Sequence, residues 1–275
     1  MAGNDEDWSV LRAYTSLTDA EQGDENVGVD SALRDFDPWI GGKNLVATDQ
    51  IWRIACYADA ADTARTDVSG WTTDADHYLD IFTPRDADEV GESQRHDGRW
   101  NSARYRMAVS NTSCMAVDVP HVRIRGLQFT SPAVSANWTN HIRILTMEAA
   151  DIRITDNVFR GISTSFDMHA GVALHLVGSG QLYIWNNVFY DFVRSGGTLG
   201  MGVYVHDGEF TTYLFNNTAV DCTHGFHQGS GTTYAVNNLV QGCSDGFNGT
   251  FHASSDYNVS DLAADAPGAN SQNGT

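Results

Sequence analysis

The sequence predicts an all-β fold of short strands stacked turn upon turn, a solenoid. Three observations carry this. The segment DIRITDNVFRGI at 151–162 recurs as QLYIWNNVFYDF at 181–192, with alternating apolar residues followed by Asn and Phe at fixed offsets. Aligned on that pattern, the Asn position holds Leu127, Asn157, Asn187, Asn217, Asn238 and Asn258, at steps of 30, 30, 30, 21 and 20 residues. The chain has 275 residues, acceptable for one repetitive domain.

Each repeat has the same reasons to be a strand. Three residues before the Asn position stand Ile124, Ile154, Ile184, Leu214, Ala235 and Ser255, and two after it Phe129, Phe159, Phe189, Ala219, Val240 and Ser260. Five after it stand Pro132, Ile162, Phe192, Cys222, Cys243 and Ala263. A further apolar strand precedes each copy, at 142–144, 172–174 and 203–205, then in shorter form around Phe226 and Phe247. One such strand cannot bury its apolar face alone, but turns stacked at about 4.8 Å set Ile on Ile and Phe on Phe. The repeated Asn fits a turn with a left-handed backbone. Its amide can hydrogen-bond its copy in the next turn and satisfy polar groups that are costly to bury. An antiparallel sandwich has no need of identical residues at 30-residue intervals.

Upstream of the repeat, 51–57, 78–83 and 104–109 alternate as strands, with a polar loop at 84–101. Residues 8–14 and 29–36 each have the pattern of a short helix. Asp30 is placed to cap the second and Pro38 to end it. The chain is thus divided into an N-terminal arm and cap (1–45), the stacked strands (46–265) and a C-terminal tail (266–275). The last turn has Ala, Ser and Ala at its inward positions and no amphipathic cap after it. Three arrangements would protect that open end: another chain, the tail folded across it, or continuation in a longer protein.

At the ladder positions the chain resembles the right-handed parallel β-helix proteins, the architecture of pectate lyases and of many viral tail spikes. The resemblance covers about 46–265. It includes GWTTDADHYLDIFTP at 70–84, similar to the first coil of little-characterised β-helix proteins of environmental microbes and their viruses. It implies a single-stranded right-handed parallel β-helix with an N-terminal capping segment. Because viral β-helices often trimerise, it also implies a homo-oligomer, a trimer.

Acidic residues outnumber basic ones 35 to 16, for a formal charge of −19, and the single lysine is Lys43. With 28 Asp against 7 Glu, this is the composition of a surface kept hydrated in concentrated salt. GC-rich codon bias also favours Asp and Arg, but does not explain the net charge. Such a surface argues against a nucleic-acid partner, which needs clustered Lys and Arg. No run of about 18 apolar residues suggests a membrane span. The acidic N-terminus lacks the pattern of a signal peptide, which fits a leader removed and replaced by Met, export without a signal peptide, or a particle protein assembled inside a cell. Cys56, Cys114, Cys222 and Cys243 lack zinc spacing, and the stacked pair Cys222 and Cys243 reads as buried thiols.

Candidate chemistry lies in the columns that stacking creates. His175, His206 and His227 recur at steps of 31 and 21, with Asp207 beside the middle one. In register, their imidazoles would lie about 5 Å apart. Such a grouping can serve acid–base chemistry or metal binding, or be no more than a repeated polar turn position. A weaker grouping is Asp167 and His169 with His224. An outward column of Arg123, Arg153, Tyr183, Tyr213 and Tyr234 suits a sugar or a protein interface, or ordinary cross-strand pairing.

Under the resemblance, lyases of this fold hold calcium on clustered carboxylates against an acidic sugar. Here only Asp191 and Asp221 align as a possible metal pair, with no denser cluster beside them. Glycosidases of the fold need several Asp near a His, and Thr223-His-Gly225 only superficially matches that pattern. The expectation is therefore a non-enzymatic extracellular or virion surface protein, a spike, turret or fibre, binding host-surface glycans and other surface proteins without a cofactor. The alternative is a polysaccharide lyase or glycoside hydrolase, with calcium as its one candidate cofactor.

The charge composition has a direct consequence for stability. Dialysis from molar to millimolar salt lengthens the Debye screening distance from about 3 Å to beyond 30 Å. The melting temperature should fall as unscreened carboxylates repel one another. A melting temperature flat across that range contradicts the salt-adapted reading.

Overall fold

A computed structural model of the chain describes residues 11–34, 42–86, 93–135, 138–145, 148–165, 169–174, 178–195, 199–206 and 208–274. These form an all-β structure of three long sheets in which every strand pair is parallel. The first sheet stacks Trp52–Ala55, Leu79–Phe82, His121–Arg125, Ala150–Thr155, Ser179–Trp185, Glu209–Phe215 and Thr232–Val236. The second runs from Met107–Ala108 through Gln128–Thr130, Val158–Arg160, Val188–Tyr190, Thr218–Val220 and Leu239–Gln241 to Val259–Ser260 and Gln272–Asn273. The third stacks Thr66–Val68, Met115–Val117, Thr139–Ile144, His169–Leu174, Gly200–Val205, His224–Gln228 and Asp245–Gly249. From Leu79 the chain visits the sheets in rotation, so neighbours within a sheet lie one circuit apart in sequence.

The core follows from that register. Ile124, Ile154, Ile184, Leu214 and Ala235 pair in one line, and each is buried. Phe129, Phe159 and Phe189 pair in another, with successive ring centroids 5.0 and 4.7 Å apart and planes within 8°. The third expected column is mixed. Phe192, Cys222 and Cys243 are buried, but Ile162 is half-buried and Pro132 and Ala263 are exposed, with Ser131 and Ala266 inside instead. Those two ends lie where the chain leaves the repeat, so the alignment there no longer tracks the backbone. All four cysteines are buried free thiols, and burial pushes Cys56 and Cys114 up to about 12.

The Asn positions form a continuous amide ladder. The side-chain oxygen of each Asn accepts the backbone N–H of the residue below: Asn157 from Leu127, Asn187 from Asn157, Asn217 from Asn187, Asn238 from Asn217 and Asn258 from Asn238. The Nδ2 groups donate to the carbonyls of Ile124, Ile154, Ile184, Leu214 and Ala235. Leu127 begins the ladder and the Ser271 hydroxyl, accepting from Asn258 N, ends it. The left-handed residue is not the ladder Asn but the one before it: Gly126, Asp156, Asn186, Asn216, Asn237 and Tyr257, with φ between 55° and 79°. The bend is made at that position, while the amide must point inward to reach its partners.

The short elements differ from expectation in place more than in kind. Residues 11–14 of the first expected helix are not helical. The helix is Leu17–Gln22, capped by Ser16 and Gly23. Its Glu21 carboxylate accepts from Ser69 N and Trp71 Nε1, tying it to the first circuit. Buried Asp62 accepts from Leu17 N at 2.8 Å and from the Tyr105 hydroxyl at 3.2 Å. The second helix reduces to a 3-10 turn, Ser31–Leu33, capped by Asp30 as expected. Leu45–Thr48, Thr66–Val68 and Met115–Val117 are elements the sequence reading did not mark.

At the far end the chain covers itself. Asp265 accepts from Phe247 N and the Ser260 hydroxyl, and Asn273 Oδ1 accepts from the backbone N–H groups of Asp265 and Ala266. Gln272–Asn273 then pairs with Val259–Ser260, and Phe251 packs on the core. The tail thus adds one more short strand to the second sheet.

Asn187→Ala should destabilise the protein by about 3 kcal/mol, because the Asn157 N–H and the Ile154 carbonyl are left buried without their partner. Denaturant unfolding checks this, and a loss below about 1 kcal/mol would mean the ladder is replaceable by water.

Candidate functional site

Side chains on a strand alternate, so the residues between the core positions of the first sheet face outward. Parallel register then aligns them between circuits. Arg123, Arg153, Tyr183, Tyr213 and Tyr234 are direct neighbours in one column, as the repeat implied. Asp80 and Arg53 extend it through the two preceding strands. A parallel column holds Phe82, Arg125, Thr155, Trp185, Phe215 and Val236.

The tyrosines stack on one another. Tyr183 and Tyr213 lie 4.9 Å apart with planes 10° off parallel, and Tyr213 and Tyr234 lie 5.3 Å apart at 12°. His252 closes on Tyr234 at 4.1 Å, and Arg153 sits 5.5 Å from the Tyr183 ring at the other end. Trp185 and Phe215 meet the column edge-on at 5.7 Å. The ring faces are thus turned to one another. What the column offers solvent is a row of phenol edges rather than a flat platform, with the Tyr183 hydroxyl donating to Gln181 Oε1.

The arginine end forms a groove of about 460 Å³, bordered by Tyr78, Trp185 and the guanidiniums of Arg53, Arg123, Arg125 and Arg153. Asp80 is its foundation. This carboxylate is buried, accepting from Arg125 at 2.8 and 2.9 Å and from Arg53 at 3.1 Å. Burial works against its charge, but hydrogen bonds and charge from Arg125 and Arg53 hold its carboxyl below the usual range. Arg153 pairs with Asp151 at 2.7 and 2.8 Å, an interaction that lowers the Asp151 carboxyl. Arg123 lies over the Tyr78 ring at 3.5 Å and donates to the Tyr78 hydroxyl at 2.6 Å. The sequence reading missed Arg53, Tyr78, Asp80, Arg125 and Trp185. Arg125 and Trp185 were findable, two residues beyond Arg123 and Tyr183 on the same face.

The expected histidine column is corrected by the register. His175 and Asp207 lie outside the described residues. His227 pairs with Tyr204, not His206, and Val205 pairs with Gln228. The circuit leading to His227 is shorter than the one before it, and the strand is displaced by two places from the expected alignment. The result is a cluster rather than a column. Tyr204 lies 5.1 Å from both His206 and His227, which are 6.4 Å apart. His224, largely buried, stands 5.9 Å from His227, with its Nδ1 3.5 Å from an Asp245 carboxylate oxygen. Burial lowers the His227 imidazole against the pull of Asn248, its register neighbour in the next circuit.

Asp191 and Asp221 stand at one turn position of successive circuits, with φ of 63° and 50°, and Gly242 follows with 67°. A left-handed turn, which Asp and Gly accept, accounts for their recurrence. Among the described residues no group of three or more His, Cys, Asp or Glu side chains could hold a metal ion. No helix among them is long and apolar enough to cross a membrane.

Two imidazoles inside the core were not singled out for their burial. His141 and His169 are both fully buried, with rings 5.5 Å apart and Phe192 within 5.1 Å of each. No ring nitrogen of either has a well-formed hydrogen bond among the described residues. Burial pushes His141 well below the usual value, and pushes His169 to about 4 against a weak pull from the Ile162 backbone.

No protein-family model matches this chain, and neither does any curated protein or solved structure at a significant level.

The buried imidazoles fix the sign of an acid response. His169 titrates near 6.5 when unfolded and about 4 when folded, so the neutral form is the folded one. Stability from this group is complete above pH about 6.5 and is lost progressively down to about 4, by about 3 kcal/mol in all. His169→Leu should remove that part of the pH dependence. Denaturant unfolding of both proteins across this range checks it, and parallel pH curves would contradict it.

Proposed function

We propose that the three sheets wind as a single right-handed parallel β-helix, and that the chain is a non-enzymatic surface protein, extracellular or on a virion, that binds polysaccharide across the outer face of its first sheet. The visiting of three sheets in rotation, the like-on-like core columns and the amide ladder support the winding. Its hand rests on the resemblance. The observation that carries the binding reading is the outward column in which two arginines and three tyrosines are neighbours in register. Stacked tyrosines lose little entropy on binding, and their hydroxyls repeat at the strand spacing, matching a ligand that itself repeats. A strongly acidic remainder keeps the rest of the surface wet and unattractive to other polyanions.

A second reading, polysaccharide cleavage, is favoured by the approach of His224 to Asp245 beside His227 and Tyr204. Against it, His224 is only 8% exposed, and a general acid or base must reach the substrate.

Incubation with a panel of acidic and neutral polysaccharides separates the two. The surface reading expects retention of at least one polymer with no new reducing ends or unsaturated products. It also expects Tyr213→Ala to weaken retention about tenfold, through loss of two aromatic contacts and a hydroxyl. Cleavage abolished by His224→Ala would instead establish the second reading.

A further inference from the structure

We infer that the ligand of this face is anionic: a polysaccharide bearing carboxylate or sulfate groups, one of which sits on Arg123 in the groove at the arginine end of the tyrosine column. The inference rests on the surface reading above and assigns the chemical class of its ligand.

Four guanidiniums border the groove, and among the described residues the carboxylates of Asp80 and Asp151 are paired with three of them. In a chain where acidic residues outnumber basic ones 35 to 16, this is a local reversal of sign. Cations gathered on one surface repel each other unless something negative joins them, and the described carboxylates paired with these four number two.

Asp80 lies beneath the groove with its side chain 7% exposed, and its two oxygens orient Arg53 and Arg125. Asp151 orients Arg153 in the same bidentate way. Arg123 differs from these three. Among the described residues it has no carboxylate partner, and it is held by a neutral group, the Tyr78 ring and hydroxyl. A guanidinium stacked on a ring keeps its charge and its remaining N–H groups for a planar anion, and its orientation is already fixed. The groove volume is that of an ordinary small-ligand site.

Arg153 is the register neighbour of both Arg123 and Tyr183, so the cationic groove runs into the tyrosine row without a break. Trp185 borders the groove and also packs against Tyr183. A chain with an acidic group at one sugar can place that group on Arg123 and its neighbouring sugars along Tyr183 and Tyr213.

Three immobilised polymers test this: a polyuronate, a sulfated neutral polysaccharide and an uncharged one. Salt is set at about 0.15 M, where a screening length of about 8 Å suppresses repulsion from remote carboxylates. At least one anionic polymer should bind about tenfold or more tighter than the uncharged one. Whether it is the polyuronate or the sulfated chain identifies the anion, and either supports the inference. Arg123→Ala should lower that affinity about tenfold, and Arg123→Lys should recover only part of it, because the charge returns without the planar fork. The melting temperature of each variant checks its folding, and Arg153→Gln provides an independent variant of the same groove. Equal binding of all three polymers, lost in Tyr213→Ala but kept in Arg123→Ala, would overturn the anionic assignment and leave the surface reading standing. Binding of no polymer at all would remove both.

Discussion

Everything in this molecule depends on parallel strands pairing in register with their own copies one circuit later. In an antiparallel sheet a residue faces a different part of the sequence. Here Ile154 faces Ile124 and Ile184, and Phe159 faces Phe129 and Phe189. Each residue type must therefore be tolerated against itself at about 4.8 Å. Apolar and aromatic side chains satisfy that rule readily, and a carboxamide does so because it is donor and acceptor at once. That is why the one polar line through the interior is built of asparagine, and why a threonine line fails. Thr212 and Thr233 pair in the same sheet, and their buried hydroxyls have no hydrogen-bond partner among the described residues.

The same constraint makes charge difficult to repeat. Like charges directly opposite one another destabilise a sheet. Arg123 beside Arg153 breaks that rule, and the structure shows how the cost is offset. Arg153 leans on Asp151, two residues along its own strand, while Arg123 turns to Tyr78. One column further, Arg125 faces the uncharged Thr155 and reaches back to Asp80. Cations occupy only the early circuits. From Tyr183 onward the column changes to phenols, which stack without repulsion. The sequence of the column is thus a solution to self-pairing, and the arginine end is its least settled part.

What could be read before the structure follows the same division. The repeat exposes any feature that recurs at a constant step, so the core columns, the amide ladder and the Arg–Tyr column were legible from spacing. Features that recur nowhere were not. Arg53, Tyr78 and Asp80 come from strands before the explicit repeat, where no alignment marks a face. The histidine register failed for a different reason. Counting residues from one repeat to the next assumes that a shortened circuit loses its residues in a loop. The first short circuit instead changed the pairing of Gly200–Val205 with His224–Gln228, leaving His227 opposite Tyr204. Positions defined from the ladder survive such a change because the Asn side chain anchors them. Positions defined from the third sheet, far from that anchor, do not. His141 has no histidine at the equivalent place of the next circuit, which is Gly171, where a Cβ would come within 2.6 Å of Phe189.

The buried carboxylate of Asp80 ties the scaffold to the candidate site. It belongs to the strand Leu79–Phe82, where the core residues Leu79 and Ile81 point inward and Asp80 points out. Its near-complete burial is produced by the two arginines folded over it, from the strand before and the strand after. Those arginines could not lie flat without it, since their guanidiniums would repel, and Asp80 could not remain charged without them. Such a trio is rigid on both sides of the charge balance, and rigidity is what a recognition surface needs to avoid ordering its side chains at the moment of binding. Arg123 stands next to this trio on the same face. The scaffold can hold an incompletely neutralised arginine there because its neighbours are already fixed.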